Sequence, residues 1–128
     1  MSETMPLKGR CNCGATQFEV ARAPIEVSRC TCSFCSRRGQ LHAYYTTAEF
    51  KLTTARDRVS TYQWNTYIGQ HHHCAICGCG AWSEFPDFST GKADFDNMKV
   101  SVNARLFDQD AIDIEQLPVV VVDGKNDW

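Results

Sequence analysis

The sequence predicts a single, mainly β domain over residues 1–128, with metal sites set between its strands. Three observations carry that reading. Short stretches alternate apolar and polar residues with period two, no segment has a convincing apolar period of 3.6, and the eight cysteines fall into three tight groups. A chain of 128 residues is long enough for one domain and too short for two ordinary ones. It should bury roughly two thirds of its unfolded surface, giving a real but modest core that bound metal would reinforce.

Residues 2–10 read as a short lead-in, with Gly9 permitting a tight approach to the first cysteine pair. Gly14 follows Cys13, and a glycine there tolerates the positive φ that turns backbone N–H groups toward a ligating sulfur. Thr16, Phe18 and Val20 alternate with Ala15, Gln17 and Glu19, as a half-buried strand closed by Ala23-Pro24. Residues 41–47 are rich in strand formers, and 49–52 and 58–64 continue the β pattern. Gly69 and Gln70 lead through three histidines to the last cysteine group; in a strand, His71 and His73 share one face and His72 takes the other. Residues 81–85, followed by Pro86, read as a strand, and 88–97 as a loop rich in Asp, Gly, Ser and Thr. Residues 100–104 alternate again, 107–111 suit a single helical turn, and 119–122 form a short apolar strand ended by Asp123-Gly124. Tyr44, Tyr45, Trp64, Trp82 and Phe85 are assigned to the core. There is no internal repeat, linker or low-complexity segment.

The formal charge is −2 and the pI near 6.0, with the 13 Lys and Arg residues spread along the chain. This gives no electrostatic footprint for nucleic acid or an anionic membrane, so neither is expected as a partner. No apolar run approaches the roughly 20 residues that span a bilayer, and residues 1–10 lack an apolar core like that of a signal peptide. A soluble, cytoplasmic protein is the expectation; oligomeric state is not legible.

Cysteines as close as Cys11 and Cys13, or Cys30 and Cys32, do not readily close relaxed disulfides on each other, whereas such spacing suits metal ligation. Cys11, Cys13, Cys74 and Cys77 read as a closed, structural Cys₄ zinc site joining two distant parts of the chain. Cys30, Cys32 and Cys35 offer three soft ligands in six residues, which leaves a fourth zinc position open for water or substrate. Alternatively a protein ligand closes that position: Cys79, or a nitrogen of His42, His71, His72 or His73. Cys79 equally suits the place of Cys77 in the first site.

Three thiolates leave zinc with little residual charge and a poor capacity to acidify water. An incoming thiol is the better fourth ligand, since zinc lowers its pKa and presents it as a nucleophile. Cys30, Cys32 and Cys35 are therefore the candidate catalytic residues. The adjacent Arg37 and Arg38 suit the carboxylates of an acidic thiol, although paired arginines are commonly a solvated surface feature.

The succession Cys11-Asn12-Cys13-Gly14-Ala15, Cys30-Thr31-Cys32-Ser33-Phe34-Cys35 and His73-Cys74-Ala75-Ile76-Cys77-Gly78 resembles the glutathione-dependent formaldehyde-activating enzyme family, which also includes centromere protein V. The tail, with Val102-Asn103-Ala104-Arg105, Asp123-Gly124 and Trp128, is similar to compact bacterial members. The resemblance implies a small zinc-binding β-sandwich-like fold related to a zinc-binding guanine-nucleotide-exchange chaperone. It also implies two zinc ions, one structural and one catalytic, and a carbon–sulfur lyase or synthase joining glutathione and formaldehyde into an S-hydroxymethyl adduct. His73 stands where the family often has Phe, and Cys79 is a thiol beyond the seven. The competing reading is a non-catalytic, zinc-stabilised protein-binding module; a redox sensor pairing Cys79 with the Cys30 group is a third.

Overall fold

The structure is a computed structural model that describes residues 6–64 and 66–127. Trp128 and the first part of the lead-in lie outside the described residues. Among the described residues, ten strands form two sheets. Strands β1 (Leu7–Arg10), β2 (Gln17–Val20) and β5 (Phe50–Leu52) make a small antiparallel sheet in the order β1-β2-β5. The other strands are β3 (Val27–Cys30), β4 (His42–Thr46), β6 (Val59–Tyr62), β7 (Gln70–Cys74), β8 (Gly80–Asp87), β9 (Asp94–Asn103) and β10 (Val119–Val122). They make a seven-stranded sheet in the order β10-β3-β4-β9-β8-β7-β6, antiparallel except where β10 joins β3.

Register decides what each face of the large sheet carries. One cross-strand row runs Thr61, His72, Trp82, Val102, Ala43. Its neighbour, one residue out of phase, runs Tyr62, His71, Ser83, Ser101, Tyr44 and so projects from the opposite face. The first face meets the small sheet. Phe18 lies 5.6 Å from Phe50, which lies 5.1 Å from Trp82, and one core cluster joins Leu7, Phe18 and Val20 to Ala43, Tyr45, Trp82, Val100 and Val102. This is the β-sandwich-like architecture expected. Its second face is polar.

Several elements depart from the sequence reading. The lead-in is a strand, because Leu7 and Gly9 turn inward and pair with β2. Gly9 is needed there for Phe18: a Cβ at position 9 would sit 2.5 Å from its Cζ. Strand β8 continues through Pro86, and β9 starts at Asp94, so the expected loop shrinks to 88–93; the hairpin partner extends each strand across a bulge at Pro86/Asp87. A helical turn closes within a residue of the one expected at 107–111, with Ala111 N and Ile112 N both donating to Asp108 O, and a 3₁₀ turn not expected from sequence precedes it at Ala104–Leu106. A six-residue helix, α1 (Ser33–Arg38), follows β3. Six residues are too few to show an apolar period. A second short helix, α2 (Gly124–Asp127), follows β10.

His72 shows how a buried histidine is satisfied inside this core. It is 1% exposed, its Nε2 is 2.6 Å from Glu84 Oε2, Thr61 Oγ1 lies 2.8 Å from its Nδ1, and Trp82 packs against its ring. The hydrogen bond from His72 holds the Glu84 carboxyl below its usual range, against the opposing effect of burial.

Replacing Phe18 with Ala should cost about 3–5 kcal/mol in urea unfolding, because it empties the junction of both sheets. Ile25→Ala, at an 86% exposed side chain, should stay within about 0.5 kcal/mol. Because its folded pKa is depressed, Glu84 contributes stability that is complete above pH 4.5, its ordinary value, and is lost as pH falls through the lowered one. The gap in unfolding midpoint between the native protein and Glu84→Gln should therefore be largest above that pH and close on acidification.

Candidate metal centres and the adjoining cleft

Cys11 and Cys13 follow β1 in a turn whose Gly14 has φ 84°, and Cys74 and Cys77 end β7 in a turn whose Gly78 has φ 83°. The two turns meet. Cys11 Sγ is 3.7 Å from Cys13 Sγ, and Cys13 Sγ is 3.7 Å from Cys74 Sγ across 61 positions of sequence. Sulfurs at the corners of a tetrahedral zinc site lie about 3.8 Å apart, given Zn–S bonds near 2.3 Å. The four sulfurs all lie within 4.8 Å of one another, so the residues present fit such an ion.

Backbone donors surround these sulfurs. Thr16 N–H donates to Cys11 Sγ at 3.3 Å, and Ile76 and Cys77 N–H both donate to Cys74 Sγ at 3.4 Å. Burial raises the Cys77 thiol, but donors from the Cys79 and Cys13 backbone outweigh it and draw Cys77 down to about 5. At Cys74 and Cys77 the thiolate form is favoured before any cation is counted, whereas Cys13 is raised to about 11.

Cys30 ends β3, Cys32 is the N-cap of α1, and Cys35 sits in its first turn. The Cys35 N–H donates to Cys32 Sγ at 3.3 Å, and the chain leaves α1 through Gly39 with φ 66°. These three sulfurs also lie within 4.8 Å of one another, and all three residues are buried. Burial pushes the thiols of Cys30 and Cys35 up, and the neighbouring sulfurs push Cys35 further. The resistance of Cys30 and Cys35 to ionising is what a divalent cation reverses, because the cation supplies the missing charge.

Among the described residues, no further His, Cys, Asp or Glu joins either group. Cys79, expected as a possible fourth ligand of the Cys30 group, lies instead beside the first group, where its sulfur meets the Asn12 backbone and Cys77. The reason is local: the turn from Cys74 to Cys79 is closed by hydrogen bonds from Gly78 N to Cys74 O and from Cys74 N to Cys79 O. His42, His71 and His73 lie on the polar face, and His72 is taken up by the core.

An open cleft of about 750 Å³ adjoins the Cys30 group, lined by Ser33, Phe34, Arg37, Arg38, Tyr62, Trp64, His73 and Gly78. Phe34 and Trp64 belong to both, packing against the cysteines and walling the cleft. Phe34 stacks on Tyr62 at 5.4 Å, His71 lies tilted against it at 4.4 Å, and the Arg38 guanidinium lies 4.6 Å above its ring. Arg37 is exposed and Arg38 half-buried, so the adjacent cations stand at one wall of the cleft. Trp64 is thus a cleft residue and Tyr44 is 49% exposed, whereas Tyr45 and Trp82 are core as expected. Phe34 and Tyr62 were not singled out by sequence. The short helix that places Phe34 carries no periodic signal, and Tyr62 joins the cleft only through its register with His71.

A family model described as glutathione-dependent formaldehyde-activating enzyme matches residues 6–114. A Halomonas elongata protein provisionally named as a glutathione-dependent formaldehyde-activating enzyme is 30% identical over 87 residues, which is 61% of this chain and 55% of that protein. The chain thus spans about half the length of this curated relative. A crystal structure of a Rhodobacter sphaeroides protein, a structural-genomics target, superposes with a TM-score of 0.67 at 23% identity over 88% of this chain and 99% of that one. That likeness concerns the fold.

If zinc fills the four-cysteine group, chelating it should unfold the protein, since that group joins the turn after β1 to the end of β7. Cys74→Ser should do the same, with loss of metal and of near-ultraviolet dichroism. Cys79→Ser should keep the native metal content, because its sulfur lies outside both groups.

Proposed function

The chain belongs to the glutathione-dependent formaldehyde-activating enzyme family, and on that premise we propose that it is a zinc-dependent carbon–sulfur lyase or synthase acting on a small, glutathione-like thiol and a formaldehyde-like aldehyde. In this reading Cys11, Cys13, Cys74 and Cys77 hold a structural zinc, and Cys30, Cys32 and Cys35 hold a second one at the reacting centre. The observation that carries it is the set of three buried sulfurs at the start of α1, with no fourth protein donor among the described residues and a cleft alongside. Zinc bound there supplies a Lewis acid that favours the thiolate form of a fourth sulfur.

The rest is done by the chain. Backbone N–H groups of Cys32 and Cys35 point at the sulfurs of Cys30 and Cys32 and fix their positions. Phe34 and Trp64 exclude water from one side of the cluster. Arg37 and Arg38 offer charge to the carboxylates of an acidic thiol, Arg38 held in place by its stacking on Phe34. The substrate sulfur attacks the aldehyde carbon, the C–O π pair moves to oxygen, and the proton the thiol gave up ends on that oxygen; reversal cleaves the same C–S bond. Among the described residues no helix is long and apolar enough to cross a membrane.

Exchange-detected NMR of glutathione and formaldehyde tests this reading. Native protein should accelerate both formation and breakdown of the adduct, and Cys32→Ser should abolish the effect while the fold persists. A fully metallated native protein that changes neither rate would overturn the enzyme reading in favour of a non-catalytic zinc module. Arg38→Gln should raise the half-saturating glutathione concentration about tenfold, in line with loss of a charged hydrogen bond, and leave 2-mercaptoethanol nearly unaffected.

A further inference from the structure

The polar face of the large sheet holds two imidazoles in matching settings. His71 Nδ1 lies 2.8 Å from Ser83 Oγ and His42 Nδ1 lies 2.8 Å from Ser101 Oγ, and the two serines are cross-strand partners. His42 differs in one respect. It is 8% exposed, and its Nε2 is buried without a hydrogen-bond partner among the described residues. Buried polar atoms are nearly always paired, so an orphan needs an occupant.

The proton inventory says what kind of occupant. If the Ser101 hydroxyl donates to Nδ1, the ring proton sits on Nε2 and one buried group lacks a partner. The reverse arrangement, Nδ1–H donating to Ser101, leaves both Nε2 and the Ser101 O–H unpaired. The first is therefore favoured, and His42 presents a neutral N–H donor that calls for an acceptor oxygen. Burial, followed by the nearby charge of Arg38, draws the imidazole down to about 4, so the ring is neutral at physiological pH.

Position selects the oxygen. His42 pairs with Ser28, and because β3 and β4 are antiparallel, Cys30 is its diagonal neighbour on the same face. Diagonal neighbours lie about 7–8 Å apart, their Cβ atoms somewhat less, which puts His42 and Cys30 within reach of one small molecule. Tyr44, two residues on, has its ring 6.3 Å from His42, and its hydroxyl lies near Ser28, Cys30 and Cys35.

We propose that His42 is the hydrogen-bond donor to the aldehyde oxygen, its Nε2–H fixed by Ser101 and directed at the oxygen that gains charge as sulfur attacks. The proposal rests on the function assigned above and adds to it the donor that stabilises the alkoxide. His42 keeps its proton throughout. The sulfur–carbon bond forms, the carbonyl π pair goes to oxygen, and the proton that neutralises that oxygen is the one released by the thiol. Ser101 is a positioning residue.

The test pairs kinetics with ¹⁵N NMR of the histidines in metal-loaded protein. His42→Gln should lower the rate of adduct formation about 10²-fold, and change the half-saturating glutathione concentration less than about twofold. Ser101→Ala, which keeps the ring and frees its tautomer, should show a smaller fall in the same sense. In native protein the ring proton should be on Nε2, and that resonance should move on addition of S-hydroxymethylglutathione. A proton on Nδ1, or an active native protein whose rate His42→Gln leaves unchanged, would overturn the proposal and leave Nε2 to an internal water. A fall in rate matched by lost glutathione binding would also overturn it, as a scaffold effect. If native protein shows no rate effect, the assigned function fails, and the NMR response alone then decides the donor: a shift supports it and no shift overturns it.

Discussion

Everything else in this molecule depends on the meeting of two turns, each carrying two cysteines, from opposite ends of the first 77 residues. Cys11 and Cys13 bring the small sheet with them, and Cys74 and Cys77 bring the end of β7. Filled with zinc, such a site contributes about 10 kcal/mol to folding or more, comparable with the entire net stability of an ordinary domain. The hydrophobic core between the sheets is continuous but modest, and the four-cysteine group sets its edge. The N–H groups aimed at Cys11 and Cys74 come from turns whose glycines take positive φ, so sequence, turn geometry and sulfur chemistry agree locally.

With the sheets held, the large one divides its labour by face. The row containing His72 and Trp82 packs on the small sheet, and the row containing His71, Ser83, Ser101 and Tyr44 faces α1 and the second cysteine group. A one-residue slip in any pairing would exchange the two sets. The fold thereby places a dry core and a polar surface on two sides of one sheet. Cys30, Cys32 and Cys35 stand at the edge of that polar surface, where β3 turns into α1.

Much of this was legible in sequence, for stated reasons. Thr16, Phe18 and Val20 are all buried as their alternation requires, and the cysteine spacing picks out both groups of sulfurs. The parity of His71, His72 and His73 follows from strand geometry alone. What sequence hid are relations between strands. Nothing in residues 70–74 shows that His71 will pair with Ser83, or that Ser101 will reach His42, because register depends on the whole sheet. The helix that lifts Phe34 over the polar face is too short for periodicity, and its cap is a cysteine instead of an ordinary capping residue. Sequence left Cys79 open between the two groups, and its turn folds it back toward the first.

The most direct test of the central claim is X-ray absorption at the zinc edge on native protein, before and after glutathione is added. The account requires zinc in both groups, one bound by four sulfurs and the other by three and a lighter atom that gives way to a fourth sulfur with glutathione. A single zinc per chain, or a sulfur count already complete and unmoved by glutathione, would contradict it.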